Sequence, residues 1–409
     1  MNLNPVGWAS AALRLLARLD SDGVNSITPV TEINGGAISA TNADIALVAK
    51  GTGATLAQVP DGTVAGGNKR GTGATDWQKV RSDRTYVASG VNSVIGGGTE
   101  NQASGQDSTV SGGRFNVASN LRAAVGGGEF NTANGIYAFV GGGGNHTANT
   151  NYSFVGGGQS NVTQTNTHAT VCGGSTNTAS GQRSFIGGGE GNTASASWCG
   201  SLSGIGNVAS GTYSAIAGGS GSVASASNSF VGGGDNNRAN GISSCISGGA
   251  NGTARLIAGY HVFPACSAPI ATTQGCTQSA LLLLARQTTD ATATVLTSNT
   301  GAAGTTNQVI LPNNSAYSFS GEVIAGVTGA GDTAAWNFKG AIKRGANAAS
   351  TAVVGTVVLD RIAYDTGATA WTVAVTADTT NGGIKVEVAG AAATTIRWVC
   401  KINTTEMTY

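Results

Sequence analysis

Through the middle of the chain, apolar and polar positions recur at a fixed spacing. The stretches FVGGGGNHTANT (139–150), FVGGGQSNVTQT (154–165), FIGGGEGNTASA (185–196) and FVGGGDNNRANG (230–241) each place an aromatic beside a branched aliphatic, then glycines, then polar residues. Aligned on the polar mark, the copies fall at Asn101, Asn116, Asn131, His146, Asn161, Asn177, Asn192, Asn207, Ser222, Asn237 and Gly252. The step is fifteen residues, with one of sixteen between Asn161 and Asn177. Repetition at a fixed period indicates stacked supersecondary units.

Each column of the repeat has its own chemistry. Six residues before the mark stands a branched aliphatic in ten of eleven copies, Ser201 being the exception; such residues favour strands and pack inward. Three before the mark there is always Gly, from Gly98 to Gly249, which fits a corner needing positive φ or close backbone approach. Two after it comes Ala, with Thr163 the exception, so the interior there is narrow. A strand, a glycine corner and a second strand close one coil of a β-solenoid. Eleven coils at about 4.8 Å stack to roughly 50 Å, and the Asn column becomes a ladder of amides. Adjacent strand residues face opposite sides. The column seven before the mark, with Phe139, Phe154, Phe185 and Phe230, therefore points outward and forms an apolar stripe that a partner chain is expected to cover.

The flanks read differently. Residues 6–19, with Leu13 and Leu16, suggest a short amphipathic helix. Residues 42–85 are short apolar runs broken by Gly and Asp-Gly turns, a small β connector. Residues 256–304 are mixed and expected to form a neck. From residue 305 alternation returns: Tyr317 and Phe319, Trp336 and Phe338, Trp371, Val373 and Val375, Ile384, Val386 and Val388. About seven strands with one buried face predict an antiparallel β-sandwich of jelly-roll type.

Composition narrows the function. The 65 Gly, 6 Pro and 10% charged residues in 409 exclude a helix-rich fold for most of the chain. A net charge of +1 gives no basis for binding nucleic acid. No stretch reaches the ~18 apolar residues of a membrane span, and the first twenty residues, interrupted by Arg14 and Arg18, do not read as a signal peptide. Cys172, Cys199, Cys245, Cys266, Cys276 and Cys400 form no C-x-x-C pair, so free thiols are expected, with a Cys266–Cys276 bridge the alternative. The scarcity of Asp excludes the calcium-binding nonapeptide roll, and the glycine spacing excludes collagen.

His146, His168 and His261 have no partner at motif spacing, and no pair of acids suggests glycoside hydrolysis within one chain. No catalytic, cofactor or metal residue is expected, and the chain reads as a non-enzyme. Trp336, Trp371 and Trp398 sit on alternating strand positions and are expected in the core. The loops 328–333, 344–350 and 378–383 are the candidate receptor contacts, since loops on rigid scaffolds carry function.

The units of the form SxxSFVGGGxxNxASGxxS resemble the head repeats of YadA-type trimeric adhesins, and more closely the variant of that repeat in bacteriophage tail-fibre proteins. The resemblance spans about residues 86–255. It departs at WCGSLSGIG (198–206), where the aliphatic and first glycine are lost and the coil is expected to bulge or to bind differently. It implies a left-handed parallel β-roll in which three chains share an axis. The segment from LPNNSAYSFSGEV onward resembles a C-terminal domain of phage tail proteins, and 42–85 a connector preceding the roll.

The expected organisation is an attachment segment (1–41), a connector (42–85), the roll (86–255), a neck (256–304) and a receptor-binding sandwich (305–409). The resemblance implies a homotrimeric virion tail fibre, made in the host cytoplasm. Its N-terminus would be held by a tail or baseplate protein and its tip would adhere to a bacterial surface glycan or protein. A bacterial trimeric surface adhesin and a purely structural fibre are the alternatives.

Overall fold

The computed structural model describes residues 17–19, 25–27, 53–329 and 331–409 and divides into two compact units, 1–157 and 158–409. Residues 6–16 of the expected helix lie outside the described residues. Its last residues are a strand instead: Ala17–Leu19 pairs antiparallel with Asn25–Ile27, Ala17 opposite Ile27. The intervening sequence DSDG is rich in turn-forming residue types, so strand pairing is locally available to a segment whose leucine spacing suggested a helix.

In the first unit the repeat builds a parallel β-solenoid. Thr55–Leu56, Thr75–Asp76, Val94–Ile95, Thr109–Val110, Ala124–Val125, Phe139–Val140 and Phe154–Val155 pair in succession, in register. Gln102–Ala103, Val117–Ala118, Thr132–Ala133 and Thr147–Ala148 form a second row, and single bridges from Val80 through Thr99, Arg114 and Glu129 to Gly144 a third. Each strand is two residues long because the coil turns three times in fifteen residues. The second residue of each strand from Val94–Ile95 onward is buried and the first faces outward. The solenoid begins earlier than the repeat, since the expected connector supplies the rungs at Thr55 and Thr75. Their longer coils are tied by the buried pair Arg70–Asp76 at 2.8 Å.

Close stacking explains the glycine column. Gly113 has φ of 87°, and a Cβ there would fall 2.1 Å from the carbonyl oxygen of Gly128 on the next coil. Conformation and space both demand glycine. The Asn column lies inside, fully buried. Asn116 Nδ2 donates to Gly112 O at 2.9 Å and Gly128 O at 2.8 Å, while its Oδ1 accepts the Asn131 backbone N–H at 3.0 Å. The same three bonds recur at Asn101, Asn131, Asn177, Asn192, Asn207 and Asn237.

The second unit repeats this plan. Thr170–Val171, Phe185–Ile186, Gly200–Ser201, Ala215–Ile216, Phe230–Val231 and Cys245–Ile246 pair parallel in register. The divergent coil at 198–206 does not bulge: Ser201 takes the aliphatic place, wholly buried, and its Oγ donates to Ser203 O at 3.3 Å.

Within the segment expected as a neck, His261–Pro264 pairs parallel with Cys245–Ile246 and then antiparallel with Thr277–Thr288. One strand thus joins solenoid to tip. The tip's large sheet runs in the order Thr277–Thr288, Ile396–Thr408, Ser315–Val327, Thr333–Arg344, Ala352–Tyr364, all antiparallel. A smaller sheet pairs Gly383–Ala389 with Thr372–Asp378, Thr294–Val295 and Val309–Ile310. The alternating sets read from the sequence are the buried ones, and Trp336 and Trp371 both pack on Trp398 with centroids 5.8 Å apart. All three tryptophans are core.

Candidate functional site

Three surfaces and one buried cluster carry chemistry. On the solenoid, Phe139, Phe154, Phe185 and Phe230 are 38–40% exposed beside wholly buried Val140, Val155, Ile186 and Val231. Phe139 stacks on Phe154 at 5.6 Å.

The second surface lies at two left-handed corners in each coil. Nine residues before the mark, Asn92, Asp107, Arg122, Tyr137, Tyr152, His168, Arg183, Trp198, Tyr213, Asn228 and Ser243 all have φ between 53° and 63°. One before it, Glu100, Phe115, Phe130 and Asn145 do the same at 52–60°. Such backbone suits Asn and Gly, and a bulky side chain there costs about 1–2 kcal/mol. The aromatics partly offset this by stacking along the column. Tyr137 lies 5.3 Å from Tyr152, Phe115 lies 4.9 Å from Phe130 and Trp198 lies 6.2 Å from Tyr213, all near-parallel. Arginines lie over the first ring of each stack: Arg122 on Tyr137 at 5.3 Å, Arg114 on Phe115 at 4.8 Å, Arg183 on Trp198 at 4.4 Å. Sequence reading missed these columns because glycine marks only one corner. Asn92, Asp107 and Asn228, residue types that tolerate left-handed backbone, were the available signal.

The third surface is the open face of the large sheet. Lys401, Glu322, Asn337 and Asp360 stand in one row across four strands, opposite one another in register. Lys401 Nζ meets Glu322 Oε2 at 3.2 Å. With Ser320, Lys339, Val358 and Asn403 they line a hollow of 320 Å³. The neighbouring row, Ala285, Val399, Ile324, Ala335 and Ala363, is wholly apolar.

Two of the expected contact loops, 378–383 and 344–350, are held by side-chain bonds. Asp378 Oδ1 accepts N–H bonds from Thr380 at 3.0 Å and Asn381 at 2.9 Å. Burial by itself raises the Asp378 carboxyl, but bonds from Asn381 and Thr380 outweigh it and hold the group below its usual value. In the 344–350 loop Asn347 caps the turn Ala348–Ser350, its Oδ1 accepting Ser350 N–H at 3.1 Å.

The buried cluster centres on Glu406. It accepts from Gln278 Nε2 at 2.8 Å, Thr404 Oγ1 at 2.8 Å and Tyr260 Oη, and pairs with Arg255 at 3.2 Å. It joins the last coil to the large sheet and is closed to solvent, which makes it structural.

His146 lies buried in the Asn column, His168 at the sixteen-residue step and His261 exposed on its strand. All six cysteines are free, with Cys199, Cys276 and Cys400 buried and Cys172 and Cys266 exposed. Among the described residues no three His, Cys, Asp or Glu gather as a metal site would require.

No protein-family model matches the chain, and no curated protein does. Among solved structures it is similar to the tailspike protein of Acinetobacter baumannii phage AM24, at 11% identity and a TM-score of 0.22, covering 82% of this chain and 66% of that one. It is also similar to the tailspike protein of Acinetobacter phage vB_ApiP_P1, at 8% identity and a TM-score of 0.21, covering 87% of this chain and 80% of that one. The chain spans just under two thirds of the phage AM24 protein.

Proposed function

We propose that the chain is a homotrimeric bacteriophage tail fibre that adheres to the host surface without degrading it. Its N-terminus is held by the virion, and its two C-terminal sheets form a sandwich that recognises a surface glycan. The observation that carries this reading is the phenylalanine column. Solenoid interiors are complete without it, yet Phe139, Phe154, Phe185 and Phe230 stand exposed in it, and such a stripe in a water-soluble protein calls for a partner chain. The likeness of the fifteen-residue units to trimeric adhesin and tail-fibre repeats supplies the copy number. The hollow over Glu322, Asn337, Asp360, Lys339 and Lys401 supplies the glycan contact. On a fixed sheet it sets amide, carboxylate and ammonium groups together, donors and acceptors that match sugar hydroxyls.

The test is binding of labelled full-length protein to host cells with and without their surface polysaccharide. Saturable binding, lost with the polysaccharide and weakened about tenfold or more by Asn337→Ala with Asp360→Ala, is expected. Binding unchanged by removing the polysaccharide would sink the glycan reading. Release of new reducing ends from that polysaccharide would replace adhesion by hydrolysis.

A further inference from the structure

Two of the three stacks at the left-handed corners stop where a further ring would fit. In the second unit the column runs Arg183, Trp198, Tyr213, and its next rung is Asn228, with φ of 57°. Tyr213 is 59% exposed. The first unit repeats the arrangement at the other corner. There Arg114 covers Phe115, Phe115 stacks on Phe130, and the next rung is Asn145, with φ of 58°. Phe130 is 46% exposed. In both places an arginine lies over the near ring, with Tyr86 also edge-on to Phe115, and the far ring is followed one coil on, about 4.8 Å away, by a short amide. Asn228 and Asn145 are exposed.

Neither local conformation nor core packing accounts for rings here. Tyr213 and Phe130 occupy backbone that Asn adopts with less strain in the same columns, and both are largely outside the interior. Strain retained on an exposed residue points to function.

We propose that the Tyr213–Asn228 and Phe130–Asn145 rungs bind hexopyranose rings of a polysaccharide laid against the solenoid. A pyranose has an apolar C–H face to rest on the aromatic ring and a rim of hydroxyls to meet an amide that both donates and accepts. A nucleobase also stacks, but its phosphates call for a basic surface that a net charge of +1 does not supply. The site is separate from the sheet-face hollow and does not depend on it.

The experiment uses the full-length protein, its Tyr213→Asn, Phe130→Asn double variant and a Tyr213→Phe control. Saturation-transfer NMR and calorimetry are run with methyl β-glucopyranoside, methyl β-galactopyranoside and tri-N-acetylchitotriose. The expected result is contact through the C–H face of at least one probe, about tenfold weaker in the double variant and retained in Tyr213→Phe. The double variant should sediment at the same mass and melt within a few degrees of the parent, because relief of the left-handed corners offsets the two lost stacks. Binding by none of the probes, or equal binding by parent and double variant, overturns the proposal. So does a lower melting temperature with a reduced mass, which would make the rings contacts between copies. Loss of cell binding in Asn337→Ala with Asp360→Ala leaves this result untouched, so the two sites fail separately.

Discussion

Cys400 shows how much a single side chain fixes. It lies buried in the strand Ile396–Thr408, and burial pushes its thiol from 9.0 up to about 12. The unfolded chain ionises that thiol first, so its contribution to stability is complete below about pH 9 and is lost as pH rises through about 12. That rise corresponds to at most about 4 kcal/mol. Tyr260 and Tyr317 act with the same sign from pH 10 upward. Burial first, and then the Glu406 charge, raises both well above the usual phenol value. Urea unfolding of the full chain between pH 8 and 11 should show stability falling with pH. Cys400→Ala, though less stable overall, should give a shallower slope in the pH 9–10 interval. An equal slope would mean that the thiol is not shielded in the fold.

At the level of elements, the second strand row of the coils is held by amides where it begins and ends as well as along its length. Gln78 accepts the Asn101 backbone N–H at 2.9 Å and donates to Asn101 O at 2.8 Å. Gln278 does the same for Thr253, at 3.0 and 3.1 Å. Each glutamine supplies the peptide-like group that the next strand of this row would otherwise give, which blunts an open edge. Gln278→Leu should cost about 2–4 kcal/mol, since it strands two buried backbone groups and removes a bond to Glu406. Faster hydrogen exchange at the Thr253 amide would confirm the cause, and exchange unchanged there would refute it. The ladder was legible in the sequence because each column repeats one chemistry. The aliphatic six before the mark, Ala two after and Gly three before predicted interior, narrowness and corner, and the coils show all three. The glutamine caps were not legible, because each occurs once and lies outside the repeat. Nor was the strand Ala17–Leu19, which ends a segment whose leucine spacing suits a helix. The sheet-face site was hidden for another reason. Lys401, Glu322, Asn337 and Asp360 are scattered along the chain, and only antiparallel register puts them in one row.

For the whole molecule, the proposed association rests on which surface the phenylalanines occupy. Phe154 and Phe185 are the outward residues of strands whose inward partners, Val155 and Ile186, are wholly buried, so replacing them leaves each coil's interior intact. Phe154→Ser with Phe185→Ser should therefore retain the β-rich circular dichroism while weakening association. Sedimentation equilibrium of the parent should give three times the 40.1 kDa chain mass, and the double variant should dissociate at micromolar concentration. Because three weak sites on one scaffold gain avidity through effective concentration, the dissociated variant should lose about a hundredfold or more in binding to host cells. Its affinity for a monovalent saccharide should stay the same, since the Asn337–Asp360 row is complete within one chain. A parent that sediments as a monomer would leave the phenylalanine column without a partner and remove the trimeric fibre reading. A variant that loses monovalent affinity as well would show that the binding face is completed by a neighbouring copy.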